Sequence, residues 1–225
     1  MNLVSPFPNG HHTGPDDAHD HGRHGHQASL ADGLDFLNTL EYEKGQPQDE
    51  FGDAMTAVRW LREHELLHQD MADALAADVN ADEEAAARLL QRVQKVRAAL
   101  RELLDAAVER RPPHEGALRE VNRALRAQYV YELVPAADGV SLDHRHEGDP
   151  ISGALARLSE VVARELTQED KDRLRICAND ECRWVFRDNS PAGRRKWCDM
   201  STCGNRAKAA RHRHSQKCVE QPALD

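Results

Sequence analysis

Cys177-Ala178-Asn179-Asp180-Glu181-Cys182 is followed, fifteen residues later, by Cys198-Asp199-Met200-Ser201-Thr202-Cys203, so four of the five cysteines obey the spacing C-x4-C-x15-C-x4-C. Two short knuckles separated by a loop of this length let four sulfurs converge on a tetrahedron, which is the geometry a structural Zn2+ accepts. In a reducing cytoplasm the same cysteines would not persist as disulfides. The spacing therefore predicts one Zn2+ held by Cys177, Cys182, Cys198 and Cys203. A site filled by four thiolates has no open position for a substrate water, so the metal is expected to be structural rather than catalytic. Cys218 lies outside the pattern and reads as a free surface thiol.

Charge segregates around these cysteines. From Arg183 to Lys217 there are ten Lys and Arg residues against Asp188 and Asp199, a local charge of +8, which leaves -17 on the remainder of a chain whose total is -9. Four thiolates on one dication carry a formal charge of -2, so Arg183, Arg195, Lys196 and Arg206 have a local use in offsetting it. That accounts for about two positive charges, not for ten, and such asymmetry between halves of a chain points to a nucleic-acid partner. Beyond Gly204, the small residues Ala207 and Ala210 share a helical face with Cys203 and His214. Arg206, Lys208, Arg211, Arg213 and Lys217 are displayed around the rest, and Arg194, Arg195 and Lys196 add a basic loop between the knuckles. These eight residues are the candidate DNA contacts. Trp184, Phe186 and Trp197 read as the small core of the zinc module before they read as stacking surfaces.

Upstream, the chain reads as a helical body. Aromatic residues make up only 4 % of it, too few for a β-sandwich core, and Ala, Leu, Glu and Arg crowd its middle. Ser29, with Asp32 three residues on, opens a first helix expected to run to about Glu43, and Asp53 opens a second. A short third follows near 70–78. A long fourth begins near Ala81, with Leu89, Val93, Val96, Leu100, Leu103 and Ala107 as its apolar stripe, and it stops before Pro112-Pro113. The stripe is core packing first and a homodimer seam second, being too short for a sustained coiled coil. A helix over 114–127 precedes a β-hairpin built from Tyr129–Val134 and Val140–Arg145, and Asp149-Pro150 caps a final amphipathic helix. The expected fold is mainly α (α+β): a helical domain over 29–170 with one small β-hairpin, then a treble-clef-like or ribbon-like four-cysteine finger over 171–217 ending in a basic helix. Residues 1–28, with six histidines, and 218–225 read as disordered tails. The histidines could hold metal, or simply belong to a polar tail.

No stretch is apolar and long enough for a membrane span, and the N-terminus has neither a basic nor an apolar leader region, so a cytoplasmic protein is expected. His144-Arg145-His146-Glu147 sits at the hairpin-to-helix linker with no nucleophile motif or glycine-rich phosphate loop elsewhere, which argues against an enzyme. Asp35 and Asn38, one turn apart beside the apolar stripe of the first helix, are candidates to line a ligand pocket; caps or satisfied core groups are the alternative.

Cys203-Gly204-Asn205-Arg206, with Trp197-Cys198 before it and Lys208 and Arg211 after it, resembles the CGNR zinc finger. Gly33-Leu34-Asp35-Phe36-Leu37-Asn38-Thr39-Leu40 is similar to the start of the ABATE domain, which precedes this finger in bacterial proteins described as stress-induced transcriptional regulators. Together the two resemblances cover residues 29–217. They imply a DNA-binding finger joined to a helical domain that senses a ligand of no settled chemistry. In the tetrapeptide, Gly204 is expected to pass close to a zinc-bound sulfur with φ > 0, and Asn205 to cap the next helix or bond the opposing knuckle. Arg206 reaches either a thiolate or a phosphate. An RNA-associated module, a protein-interaction module and a metal-handling protein are the other function classes left open.

Overall fold

The computed structural model describes residues 28–43, 46–127, 129–136, 139–146 and 148–211. The His-rich tail, Glu147, Arg213, Lys217 and Cys218 lie outside them. In chain order the elements are α1 (Leu30–Asn38), β1 (Leu40–Glu43), β2 (Gln46–Asp49), α2 (Ala54–Glu63), α3 (Gln69–Ala81), α4 (Glu83–Glu109), α5 (Glu115–Ala124), β3 (Tyr129–Ala136), β4 (Gly139–His146), α6 (Pro150–Leu166), β5 (Leu174–Ile176) and β6 (Val185–Arg187). A last helix, α7, covers residues 205–211. The fold is mostly helical, as expected.

The axis of the body is α4, 27 residues or about 40 Å long. Asp82 caps its start by accepting from the Glu84 N–H at 2.8 Å, and Arg110 ends it in the left-handed conformation (φ 56°) just before the two prolines. Its buried line runs Leu89, Val93, Val96, Leu100, Leu104, whereas Leu103 and Ala107 are only half-buried. A straight helix turns once in 3.6 residues, so a line read with a period of 3.5 drifts off the buried face within two heptads. α4 packs against α1, α2, α3, α5 and α6. The stripe is thus used inside one chain, and a homodimer through it has no surface to use.

The first helix is shorter than the sequence suggested. Ser29 and Asp32 form the expected capping box, with Ser29 N donating to Asp32 Oδ2 at 2.7 Å. Gly33 lets α1 sit directly on α6, where a Cβ would lie 2.8 Å from Val162 Cγ2. After Asn38 the chain leaves the helix. Leu40–Glu43 pairs antiparallel with Gln46–Asp49, a hairpin in place of the expected helical turn and polar loop. Arg97 of α4 explains the departure: buried to 4 % exposure, it donates to Thr39 Oγ1 at 2.8 Å and grips the Asp49 carboxylate through two nitrogens at 2.8 and 2.5 Å. Tertiary contacts of this kind override local helix preference. Phe36, Phe51 and Trp60 meet beneath the hairpin at ring separations of 5.7–6.0 Å, and Arg97 lies over Phe51 at 5.1 Å.

A third hairpin joins the finger to the body. β5 and β6 pair antiparallel, with Leu174 opposite Arg187 and Ile176 opposite Val185. Leu174 and Val185 are 3 % and 2 % exposed and belong to the same apolar cluster as Phe36, Leu100 and Leu158. Asn38 closes the joint: its Nδ2 donates to the Val185 carbonyl at 3.0 Å and its Oδ1 accepts the Val185 N–H at 2.9 Å. Arg101 of α4 donates to the Arg183 carbonyl at 2.9 Å, and Arg187 is paired with Glu165 Oε1 at 2.7 Å and with Asp170.

Asn38→Ala should therefore leave two backbone groups of Val185 without partners and cost about 2–4 kcal/mol, read from urea unfolding. Because the finger strands share the body's core, body and finger signals should disappear in one transition. A second outcome concerns the α4–α5 turn, where Glu102 accepts Arg111 nitrogens at 2.6 and 2.7 Å and the His114 N–H at 3.1 Å. The Arg111 guanidinium, above all, holds the Glu102 carboxyl at about 2. A carboxyl held below its unfolded value contributes stability above roughly pH 4.5 that is lost as pH falls toward 2. Glu102→Gln should accordingly be less stable than the parent at pH 7, with the gap closing on acidification.

Candidate metal centre

The first knuckle is the tip of the β5–β6 ribbon. Cys177 N–H donates to the Trp184 carbonyl at 2.8 Å, and both Cys182 N–H and Arg183 N–H donate to the Asn179 carbonyl, at 2.8 and 3.0 Å. Arg183 takes φ 55° to turn the chain back. The second knuckle opens a helix. Asp199 accepts the Thr202 N–H at 2.8 Å and the Ser201 hydroxyl at 2.5 Å, winding residues Met200–Gly204 into a wide turn that leads into α7. One pair of ligands from a hairpin and one from a helix start is the treble-clef arrangement among the two that the sequence left open. Ala178 N–H donates to the Lys196 carbonyl at 2.8 Å and ties the two knuckles together.

The four sulfurs all lie within 4.8 Å of one another, with Cys182 to Cys198 at 3.6 Å and Cys198 to Cys203 at 3.9 Å. A zinc ion with Zn–S bonds of about 2.3 Å sets sulfurs about 3.8 Å apart at tetrahedral angles, whereas a disulfide needs about 2.05 Å. The residues present fit one zinc. Cys177 and Cys203 are buried, Cys182 and Cys198 partly so. Thiolates this close cannot all ionise unaided: a hydrogen bond from Cys198 holds the Cys182 thiol at about 5, while that same pairing drives the Cys198 thiol far up, and burial raises Cys177. A dication removes the conflict by giving every thiolate an opposite charge. Asn179 Nδ2 lies 3.5 Å from Cys203 Sγ and donates to it across the knuckles.

That bond corrects the reading of the tetrapeptide. The opposing knuckle is reached by Asn179, not Asn205, whose Nδ2 donates to the Ser201 carbonyl at 2.9 Å. Gly204 has no positive φ; a Cβ there would lie 2.7 Å from Met200 Sδ and 3.3 Å from Trp197 Cδ1, so close packing is what it provides. In the loop between the knuckles, buried Asp188 accepts Ser190 Oγ at 2.6 Å, Ser190 N–H at 3.0 Å and Arg195 N–H at 2.7 Å, and the Ser190 hydroxyl above all holds its carboxyl at about 2. Arg173, just before β5, and Arg175 within it donate to the carbonyls of Ser190 and Gly193, at 2.7 and 2.9 Å. Sequence spacing carried no signal for Arg173, Arg175 or Asp188.

The expected DNA contacts fall into three groups. Arg195 is a framework residue: it donates to the Cys198 carbonyl at 2.5 Å and lies over the Phe186 ring at 5.1 Å. Arg194, Lys196, Arg206 and Lys208 are exposed, and their side chains have no ion pair or hydrogen bond among the described residues. Arg211 is exposed, and Arg213 and Lys217 lie outside the described residues. The aromatics are engaged. Trp184 is half-buried near the Glu41 carboxyl of β1, and Trp197 sits against Gly204. Of the two readings of Asn38, pocket lining or a satisfied core group, the structure shows the second: its buried amide is engaged with the Val185 backbone. Asp35 is exposed on α1 and is not brought to the same place.

A family model described as CGNR zinc finger matches residues 173–216, and one for ABATE, described as Putative stress-induced transcription regulator, matches residues 32–169. No curated protein matches the chain.

Protein lacking residues 1–27 should carry one zinc per chain by elemental analysis, because those residues hold six histidines that could add metal of their own. Cys182→Ser should lose it, and in doing so should lower the stability of the helical body as well as the finger, since Leu174 and Val185 lie in the common core.

Proposed function

The chain belongs to the ABATE family and carries a CGNR zinc finger behind that domain, and from this premise we propose that it is a DNA-binding transcriptional regulator that works by binding and not by catalysis. The observation that carries the reading is the set of unpaired cations on the finger. Arg194 and Lys196 stand before the second knuckle, and Arg206 and Lys208 after it, all exposed on a chain of net charge -9. Cations needed to steady the zinc site would be bonded into it, as Arg195 is. Those four are available to phosphates, whose neutralisation releases condensed counterions. Engagement of Trp184, Phe186 and Trp197 within the protein argues against the base-stacking surface an RNA-binding module would offer. The helical body senses a small ligand and passes its state to the finger through their shared core. No helix among the described residues is long and apolar enough to cross a membrane, in keeping with a regulator that works in the cytoplasm.

The test is duplex DNA binding as a function of salt. If about five phosphates are neutralised, affinity should fall roughly 10²–10³-fold between about 50 and 200 mM salt. Replacing Arg206 and Lys208 together by Ala should flatten the slope by about two units with zinc retained. Binding absent at low salt, or a slope unmoved by the double substitution, would assign these cations to a protein partner.

A further inference from the structure

A cleft of about 600 Å³ lies between α4, the C-terminal end of α5 and the first turns of α6, on the body and away from the zinc ligands in sequence. That volume suits a small organic ligand. Val96, Ala124 and Leu155 contribute apolar lining, and Arg92, Lys95, Arg123 and Arg126 stand around it. Four cations on one cleft run against the acidity of the rest of the body. Two carboxylates answer them: Glu120 Oε2 takes Lys95 Nζ at 3.0 Å and Arg123 Nη1 at 2.5 Å, while Asp149 Oδ2 takes Arg92 Nη2 at 2.5 Å. Arg92 also donates to Ser152 Oγ at 2.7 Å. Among the described residues two positive charges are left over, and Arg126 is exposed with no ion pair. Exposed ion pairs add little to stability, so folding gives no reason to gather these cations here.

We propose that this cleft binds a small organic dianion, a phosphate monoester or a dicarboxylate on a compact apolar body. The surplus of two charges sets the ligand's charge, the apolar lining sets the character of the rest of it, and the guanidinium forks of Arg123 and Arg126 match the paired oxygens of either oxyanion. Glu120 keeps Lys95 and Arg123 turned toward each other before the ligand arrives. The assignment deepens the ligand-sensing part of the function proposed above and rests on it only for its regulatory consequence. α4 supplies that link: Val96 lines the cleft, and Arg101, about 8 Å further along the helix, holds the Arg183 carbonyl of the finger.

Calorimetric titration of the full chain with phenyl phosphate, with phthalate and with uncharged benzyl alcohol tests the assignment. At least one dianion should bind once per chain with a Kd of about 1 mM or tighter, and benzyl alcohol should not. Binding of phenyl phosphate alone identifies a phosphate monoester site, and binding of phthalate alone a dicarboxylate site. Arg126→Glu should weaken binding about tenfold or more, and Ala127→Trp, which fills the cleft, should abolish it with the circular dichroism spectrum unchanged. The Arg206→Ala, Lys208→Ala double variant should bind the dianion as the parent does. Failure of both dianions to bind, or binding lost in the finger variant but kept in both cleft variants, overturns the proposal. A dianion that binds in the cleft without altering DNA affinity leaves the site standing and refutes the sensing function instead.

Discussion

Two hydrogen bonds between the Asn38 side chain and the backbone of Val185 join positions 147 residues apart and fix how the β5–β6 hairpin meets the helices. A buried amide is satisfied only when its partner is in register, so the pair selects one seating of β6 against α1 out of the many that apolar contact alone would tolerate. Leu174 and Val185 then complete the common core, Arg101 and Arg187 close its rim, and a zinc ion held by the four cysteines would keep the strand ends together. Metal binding at that site would then fasten the helical body as well as the finger.

Charge has a division of labour that composition alone conceals. Arg97, Arg173, Arg175, Arg187 and Arg195 each satisfy carbonyls or carboxylates inside the structure, and a count of basic residues cannot tell them from those that face outward. What separates the two classes is the presence of a positioned acceptor. Arg194 and Lys196, on either side of Arg195, have none among the described residues, although their charge and neighbourhood in sequence are the same.

Most of the fold is legible in the sequence. Caps at Ser29, Asp53 and Asp149 and the proline pair at 112–113 mark where helices begin and end through local chemistry, which a linear sequence carries in full. The four ligands were equally plain, because their spacing has few other uses. The β1–β2 hairpin was not, since Arg97 and Thr39 that hold it lie 58 residues apart. The partners of Asn38 and Asn179 were not legible for the same reason: an asparagine's value depends on which distant backbone group or sulfur it meets, and its immediate neighbours do not encode that.

The joint between ribbon and helices limits how such fingers can be exchanged. A hybrid regulator made by cutting near residue 170 and splicing in another finger would strip Asn38 of its backbone partner, leave Arg101 without the Arg183 carbonyl, and expose a face of the core that had been covered by Leu174 and Val185. A successful transplant would have to carry the receiving socket with it, namely the end of α1, the first hairpin and the second half of α4. Under the proposed function, target preference in such a chain would change more easily through exposed side chains around the second knuckle than by shuffling whole modules.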